Sequence, residues 1–246
     1  MRGIILAAGC ARRLDEVHGQ RPKCLLEFGR YSLLQHQIRA GMRVGVEEFV
    51  VVVGYEQQQI REHLAGSSAK IAFVENPDYA STNTLHSLLL AGRYFDDDFL
   101  FFNGDVLLDY RVTGRLVADS GESTLACTAS RCDEEEVKVR EEDGRIIEIG
   151  KEIPPEKAWG EFVGVARFAG EHNGEFLRIL DRAARRRSNR NRFFEYAVNR
   201  LASSAPPRLV DVTDLGVVEI DFPEDLSFAR DTVYPRLAAD PESGYA

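Results

Sequence analysis

Gly3-Ile4-Ile5-Leu6-Ala7-Ala8-Gly9-Cys10-Ala11-Arg12-Arg13-Leu14 opens the chain, and Arg21-Pro22-Lys23 follows shortly after. The run from Gly3 to Ala7 is continuous and apolar, the mark of a strand covered on both faces. Ala8, Gly9 and Ala11 are small, so the backbone after the strand can approach a ligand closely. Successive main-chain N–H groups in such a turn form a concavity that binds anions. Arg13 adds a planar fork of donors matched to phosphate oxygens. Lys23 adds a compact cation that stabilises a polyphosphate. A triphosphate held this way lies beyond the carboxyl end of the strand, where open α/β sheets bind ligands. The same residues also make an ordinary small-residue turn with solvated cations, because motif matches carry false positives. The loop is neither a Walker A loop nor a GxGxxG dinucleotide fingerprint.

Outward from this loop, apolar runs alternate with helix-period segments, which predicts βα units around a mixed, mostly parallel sheet. Strands are expected at Phe49 to Val53, Ile71 to Val74, Phe99 to Phe102, Leu125 to Cys127, Phe162 to Phe168, Leu209 to Val212 and Val217 to Ile220. Leu34, Ile38 and Met42 recur at helical spacing, and so do Phe194, Ala197, Val198 and Leu201. Asn173 reads as the N-cap of a helix with Phe176, Leu180 and Ala184 inward. Glu136 to Ile149 reads as a β-hairpin on Asp143-Gly144. Pro223 opens a helix, and the residues from about Ala238 read as frayed. The whole of 1–246 is expected to be one doubly wound α/β domain. Its nucleotide-binding part is roughly 1–123 with 209–235, and its acceptor-binding part roughly 124–208.

The 246 residues are 44% apolar and 29% charged, with 31 Lys and Arg against 40 Asp and Glu, a net charge of −9. An acidic surface argues against generic nucleic-acid binding. No stretch approaches the roughly 18 consecutive apolar residues of a membrane span, and no signal peptide is read. Cys10, Cys24, Cys127 and Cys132 match no metal or redox spacing, so free thiols in a reducing cytoplasm are expected. The six arginines from Arg182 to Arg192 read as a solvated helix end and loop in preference to a nucleic-acid patch, with an anionic acceptor as a third reading. No hydrophobic stripe advertises an interface, and a homo-oligomer stays open.

Asn103-Gly104-Asp105 ends one buried strand, and Asp221 ends another within Glu219-Ile220-Asp221-Phe222-Pro223-Glu224-Asp225. Two hard carboxylates at strand ends can hold Mg2+, which keeps waters and phosphate oxygens in its other positions. Each aspartate alone reads as readily as a turn residue or a favourable charge at a helix start. With the first loop beside them, the metal reading gains.

Leu6-Ala7-Ala8-Gly9 with Arg13 and Pro22-Lys23 resembles the signature of the nucleotidyltransferase superfamily that activates sugar phosphates and phosphocholine, LAAGxGxRL followed by PKxL. Ala11 stands where that pattern has its second glycine. The resemblance covers Gly3 to about Arg230 and implies a Rossmann-like, GT-A-like nucleotidyltransferase fold. It implies catalytic roles for Arg13, Lys23 and Asp105, and Mg2+ on Asp105 and Asp221. It places the nucleotide against Leu6, Ala7, Ala8, Gly9, Cys10, Ala11, Arg12, Arg13, Lys23, Tyr79, Ser81, Thr82, Asn83 and Gly104.

Asn76-Pro77-Asp78-Tyr79 with Asn83 and Ser87-Leu88, Gly160 to Phe168, and Phe193-Phe194-Glu195 resemble the phosphocholine and phosphonate cytidylyltransferase branch. Thr84 stands where that branch often has a second asparagine, and Val217 and Val218 where it usually has a tryptophan. The resemblance implies CTP as donor and a small phosphorylated or phosphonate acceptor, with pyrophosphate released. Lys151, Glu161, Glu195, Trp159 and Phe193 are the acceptor candidates. Lys151 suits a phosphate or phosphonate, a glutamate balances a cationic tail, and aromatic faces stabilise quaternary ammonium. Phe194 also reads as a core residue. Two alternatives stand beside this one: a sugar-1-phosphate nucleotidyltransferase using UTP, GTP or dTTP, and a nucleotide-sensing module without catalysis. A glycosyltransferase would usually carry DxD, which Asn103-Gly104-Asp105 is not.

Overall fold

The apolar runs form strands, and the alternation of their side chains decides how the layers stack. The computed structural model describes residues 1–10, 12–14, 19, 21–118 and 121–245. The strands in chain order are β1 (Arg2–Ala7), β2 (Glu27–Phe28), β3 (Tyr31–Ser32), β4 (Glu48–Val53), β5 (Lys70–Glu75), β6 (Phe99–Asn103), β7 (Val106–Leu108), β8 (Thr124–Thr128), β9 (Lys138–Glu142), β10 (Arg145–Gly150), β11 (Gly160–Phe168), β12 (Arg208–Asp211) and β13 (Val217–Glu219). Among the described residues the main sheet has nine strands in the order β5-β4-β1-β6-β11-β8-β12-β10-β9. Its centre, β5-β4-β1-β6, is parallel, with Ile4 opposite both Val50 and Phe101.

Successive side chains on a strand point to opposite faces. Ile4, Leu6, Val50, Val52, Phe99 and Phe101 therefore pack on one side, and Ile5, Ala7, Val51, Val53, Leu100 and Phe102 on the other. Helices Thr84–Leu90, Asn173–Ala184 and Glu195–Leu201 cover the first face through Leu88, Phe176, Leu180 and Val198. Helices Leu33–Arg43, Gln57–His63 and Arg111–Ala118 cover the second through Leu34, Ile38, Ile60 and Leu116. Each such fully buried side chain contributes roughly 1.5–3 kcal/mol relative to exposure. The sheet is thus wound on both faces, an α/β architecture.

Beyond β6 the pairing becomes mostly antiparallel. β11 runs against β6 from Val165 to Phe168, while its start, Gly160 and Glu161, pairs with β9. The switch is made at Gly164, whose φ of 75° suits glycine and which lies inside a register shift against β8. Strands β11, β8, β12, β10 and β9 consequently close on one another. The hairpin β9–β10 turns on Asp143 and Gly144, both at positive φ.

Three local expectations change. Asn173 is the first helical residue rather than the N-cap, and its amide donates to Asp97 O at 2.7 Å. Met42 is 39% exposed because it sits on the last turn of its helix, past the sheet contact. The end of the chain is packed, not frayed: Tyr245 stacks on His36 at 4.4 Å, and its hydroxyl donates to Leu108 O at 2.9 Å. One aromatic anchor outweighs the weak helical period of this segment.

Candidate active site

β1 and β6 end side by side, and the cleft begins where they stop. The Gly104 N–H donates to Leu6 O at 3.0 Å. A Cβ on Gly104 would lie 2.5 Å from that same oxygen, a backbone atom that cannot swing away. Gly104→Ala is therefore expected to destabilise the fold by about 1–3 kcal/mol and to displace Asp105, seen as a lower urea midpoint together with a lower kcat. An unchanged midpoint would show that the turn relaxes freely.

The turn that carries Asp105 is held from below. Ser32 and Gln35 form a capping box that starts the helix Leu33–Arg43. Two residues on, the buried Gln37 amide donates to Asn103 O at 2.8 Å and to Val106 O at 3.0 Å, on either side of Gly104-Asp105. Asp221 arrives by a separate route. β13 pairs antiparallel with β7, Glu219 opposite Val106, and Ile220 N–H donates to Asp105 O at 3.1 Å. Asp225 then accepts from the N–H groups of Asp221 and Phe222, at 2.9 and 2.8 Å. Lys23 lies between the two aspartates, its Nζ 2.8 Å from Asp105 Oδ2 and 2.7 Å from Asp221 Oδ1.

Burial works against the Lys23 charge, but Asp105 and Asp221 outweigh it and hold the ammonium above its ordinary range. Burial likewise opposes the Asp221 charge, and Lys23 overcomes it, so this carboxyl titrates below the usual range. Burial and the charges of Asp105 and Asp221 push Glu219 well upward, and its Oε1 accepts from Asn103 Nδ2 at 3.1 Å. Cys24 is pushed to about 12 by burial and Asp105, so it is no nucleophile at neutral pH. Asp105 Oδ1 is buried without a hydrogen-bond partner. Lys23 pairs with the other oxygen, Oδ2, so Oδ1 stays open to a further donor or cation, and the two strand-end carboxylates suit a hard metal that keeps phosphate and water ligands. Among the described residues, no cluster of three or more His, Cys, Asp or Glu forms a metal cage.

The cleft has a volume of about 600 Å³, within the usual range for small-ligand sites. Leu6, Ala7, Ala8, Gly9, Cys10, Arg13 and Lys23 line its floor, with Gly104, Asp105 and Asp221 beside them. Arg13 lies over the Phe222 ring at 4.7 Å. Ala11 and the Arg12 side chain fall outside the described residues. Tyr79, Thr82 and Asn83 line one wall. Ser81 does not: its hydroxyl turns back to Asp78 O at 3.3 Å. Asn76 and Ser87 join this wall, and the Asn76 amide donates to Thr82 Oγ1 and Ser87 Oγ at 3.1 and 3.0 Å.

Lys151, Glu161, Phe193 and Glu195 line the cleft as well. Trp159 does not reach it and packs against the core cluster of the first sheet face. Phe193 is 45% exposed at the rim, whereas Phe194 is fully buried 4.4 Å from the Phe101 ring. Burial, reinforced by Glu136, pushes Glu161 up to about 7. At Glu195 burial outweighs a backbone hydrogen bond and the Lys151 charge and also pushes it to about 7. The Glu195 carboxylate is nearly inaccessible, and its Oε2 has no partner. Glu135 and Glu136 also line the cleft. Glu135 Oε2 sits 3.6 Å from Lys151 Nζ and 3.9 Å from Arg13 Nη1, so one exposed carboxylate stands between the two cations. Such exposed pairs are worth little, and incoming phosphates can displace Glu135. The run Asp133 to Glu136 carried no signal for a site, because a charge run ordinarily reads as a solvated face.

A family model of the MobA-like NTP transferase domain matches residues 3–139. The chain belongs to this family. The chain is 32% identical over 239 residues to a CMP-5'-(3-aminopropyl)phosphonate synthase of Streptomyces rubellomurinus, covering 92% of this chain and 37% of that protein. It is 29% identical over 237 residues to a bifunctional IPC transferase and DIPP synthase of Rubrobacter xylanophilus, covering 93% of this chain and 51% of that protein. The transferase thus spans between a third and about half of the length of these relatives. The inositol-1-phosphate CTP transferase of T. maritima superposes with a TM-score of 0.79 at 22% identity, over 96% of both chains, and shares the fold.

Proposed function

We propose that this transferase moves CMP from CTP to a small phosphonate or phosphorylated acceptor that carries a cationic group, with release of pyrophosphate. One observation carries the acceptor assignment: Glu195 is buried, its Oε2 lacks a hydrogen-bond partner, and it lines the cleft together with Lys151. An uncompensated buried charge is costly, and an acceptor with an anionic head and an ammonium tail satisfies Lys151 and Glu195 together. The Streptomyces relative is named for an aminopropylphosphonate product, which supports both the cytidylyl group and the amine. Phe193 at the rim offers a ring face to the same cation.

The reaction is an in-line substitution at the α-phosphorus. An anionic oxygen of the acceptor forms the new P–O bond, and the α–β bridging oxygen leaves with the bond pair as pyrophosphate. The acceptor oxygen is already charged, so no general base is required. Arg13 and the N–H groups of the first loop hold the β- and γ-phosphates, and Lys23 neutralises charge on the reacting ones. Asp105 and Asp221 would hold Mg2+, which when bound supplies positive charge to the phosphates. The walls position the acceptor against the nucleotide and convert a bimolecular step into a local one. We place the enzyme in the cytoplasm: its cysteines are free, three of the four buried, and among the described residues no helix is long and apolar enough to cross a membrane.

Pyrophosphate release with Mg2+ tests this reading, with CTP, UTP, GTP, ATP and dTTP each offered 3-aminopropylphosphonate, 2-aminoethylphosphonate, phosphocholine and sugar-1-phosphates. Release with CTP and an amine-bearing acceptor is expected. Release only with a sugar-1-phosphate would replace the acceptor assignment, and nucleotide binding without release from any pair would favour a sensing module. Asp221→Asn is expected to raise the Mg2+ concentration for half-maximal rate by about tenfold or more. A superimposable Mg2+ titration would remove Asp221 from the metal site.

A further inference from the structure

The nucleoside wall and the acceptor wall are 110 residues apart in sequence, yet they touch directly. The Phe194 N–H donates to Thr84 Oγ1 at 2.9 Å. Leu85 N–H donates to Arg192 O at 3.3 Å, and Arg190 Nη2 lies 3.3 Å from Asp78 Oδ1. The ion pair is half-exposed on both sides and contributes little. The Thr84 bond differs, because both of its ends are constrained. Phe194 is fully buried against Phe101 and Phe162, so its backbone is a fixed anchor. Thr84 itself lines the cleft, and its own N–H donates to Asn83 Oδ1 at 2.9 Å.

Asn83 and Thr84 thus continue the nucleoside wall, and Phe193 and Glu195 flank the anchor on the acceptor side. A nucleotide that seats against Asn83 acts on Thr84 through the Asn83–Thr84 bond and on Phe194 through the hydroxyl. Resting on the proposed function, we propose that Thr84 couples the two walls, so that nucleotide binding orders Phe193 and Glu195 for the acceptor. Thr84 is a positioning residue in this scheme: it acts on the acceptor only through the Phe194 backbone. Coupling of this kind needs a contact that differs between the free and bound states; the nucleotide's contact with Asn83 is that difference, and the Thr84 hydroxyl passes it to the Phe194 backbone.

Amide hydrogen exchange over residues 187–196, read by mass spectrometry with and without saturating CTP and Mg2+, tests the coupling without an acceptor. In the native protein CTP is expected to slow exchange there by about fivefold or more, the lower end of ordinary coupling between sites. In Thr84→Val, brought to nucleotide saturation by its own titration, CTP should leave exchange over 187–196 unchanged. Thr84→Ala removes the same hydroxyl with less bulk and must match Thr84→Val, whereas Thr84→Ser keeps the hydroxyl and must match the native protein. Equal slowing in Thr84→Val, or no slowing in native protein that demonstrably binds CTP, overturns the coupling and leaves the functional reading intact. Failure of native protein to bind CTP overturns both.

Discussion

Lys23→Ala is expected to lower kcat/KM for nucleotidyl transfer by about 10²–10³-fold, the usual cost of removing one fixed charge-stabilising group. Lys23 is the cation nearest the reacting phosphates in the proposed geometry, and nothing else among the described residues stands between Asp105 and Asp221. The same substitution has a second consequence that a purely structural lysine would not produce. In the ligand-free protein the ammonium occupies the gap between two carboxylates, so it competes with any metal for their oxygens. Without it, Asp105 and Asp221 repel one another, and a divalent cation relieves that repulsion. Mg2+ is therefore expected to raise Tm more in Lys23→Ala than in the native protein, while the rate stays low. Thermal melts across a Mg2+ series, paired with pyrophosphate release, read both effects. Activity within tenfold of native would remove Lys23 from the reaction. A smaller Mg2+ effect in the variant than in the native protein would remove the competition.

Much of this site can be located from residues alone, and the reasons are physical. Phe49 to Val53 and Phe99 to Phe102 read as strands because burial on both faces removes polar residues from them, and they lie in the parallel centre of the sheet. The first loop, Asp105 and Asp221 stand out because a tight turn after a buried strand calls for small residues, and carboxylates at strand ends are hard oxygens that suit a cation. That Lys23 touches both aspartates cannot be read in advance, since it depends on β13 folding back onto β7. Closure of β9 onto β11 depends likewise on a bulge at Gly164, one glycine in an apolar run. Ser81 and Trp159 show the converse limit. Both belong to suggestive segments, but a local hydrogen bond turns Ser81 away and core packing takes Trp159. The acidic run at Asp133 to Glu136 was hidden because charge runs are ordinarily solvated, and only the three-dimensional structure brings it to the cleft.

Glu195→Gln is expected to stabilise the ligand-free protein at pH 8, leave its stability at pH 4 unchanged, and weaken the acceptor strongly. The sign follows from proton linkage. Burial raises this carboxyl from 4.5 to about 7 in the folded chain. The folded state therefore holds an extra proton between those values, and the group's favourable contribution is lost as pH rises through about 7. At pH 8 the native protein carries a buried carboxylate whose Oε2 has no hydrogen-bond partner, which glutamine replaces with a neutral amide. The gain is about 3 kcal/mol, or roughly 9 °C in Tm for a chain of this size. Glu161 and Glu219 are raised as well, but they are present in both proteins, so the difference between the two pH profiles isolates Glu195. Binding should respond in the opposite direction. An ammonium tail pairs only with the ionised carboxylate, so native affinity for 3-aminopropylphosphonate should rise between pH 6 and 8 more steeply than affinity for propylphosphonate, whose head group titrates in the same way. In Glu195→Gln that difference should vanish, with the amine-bearing ligand weakened by about 30-fold or more. Stability and function would then be opposed at one residue: the fold tolerates an unfavourable charge at rest because the acceptor's cation neutralises it on binding. Identical pH–Tm curves for the two proteins would show that Glu195 is compensated in the free state, and equal affinity for the two ligands would show that the acceptor's cation lies elsewhere.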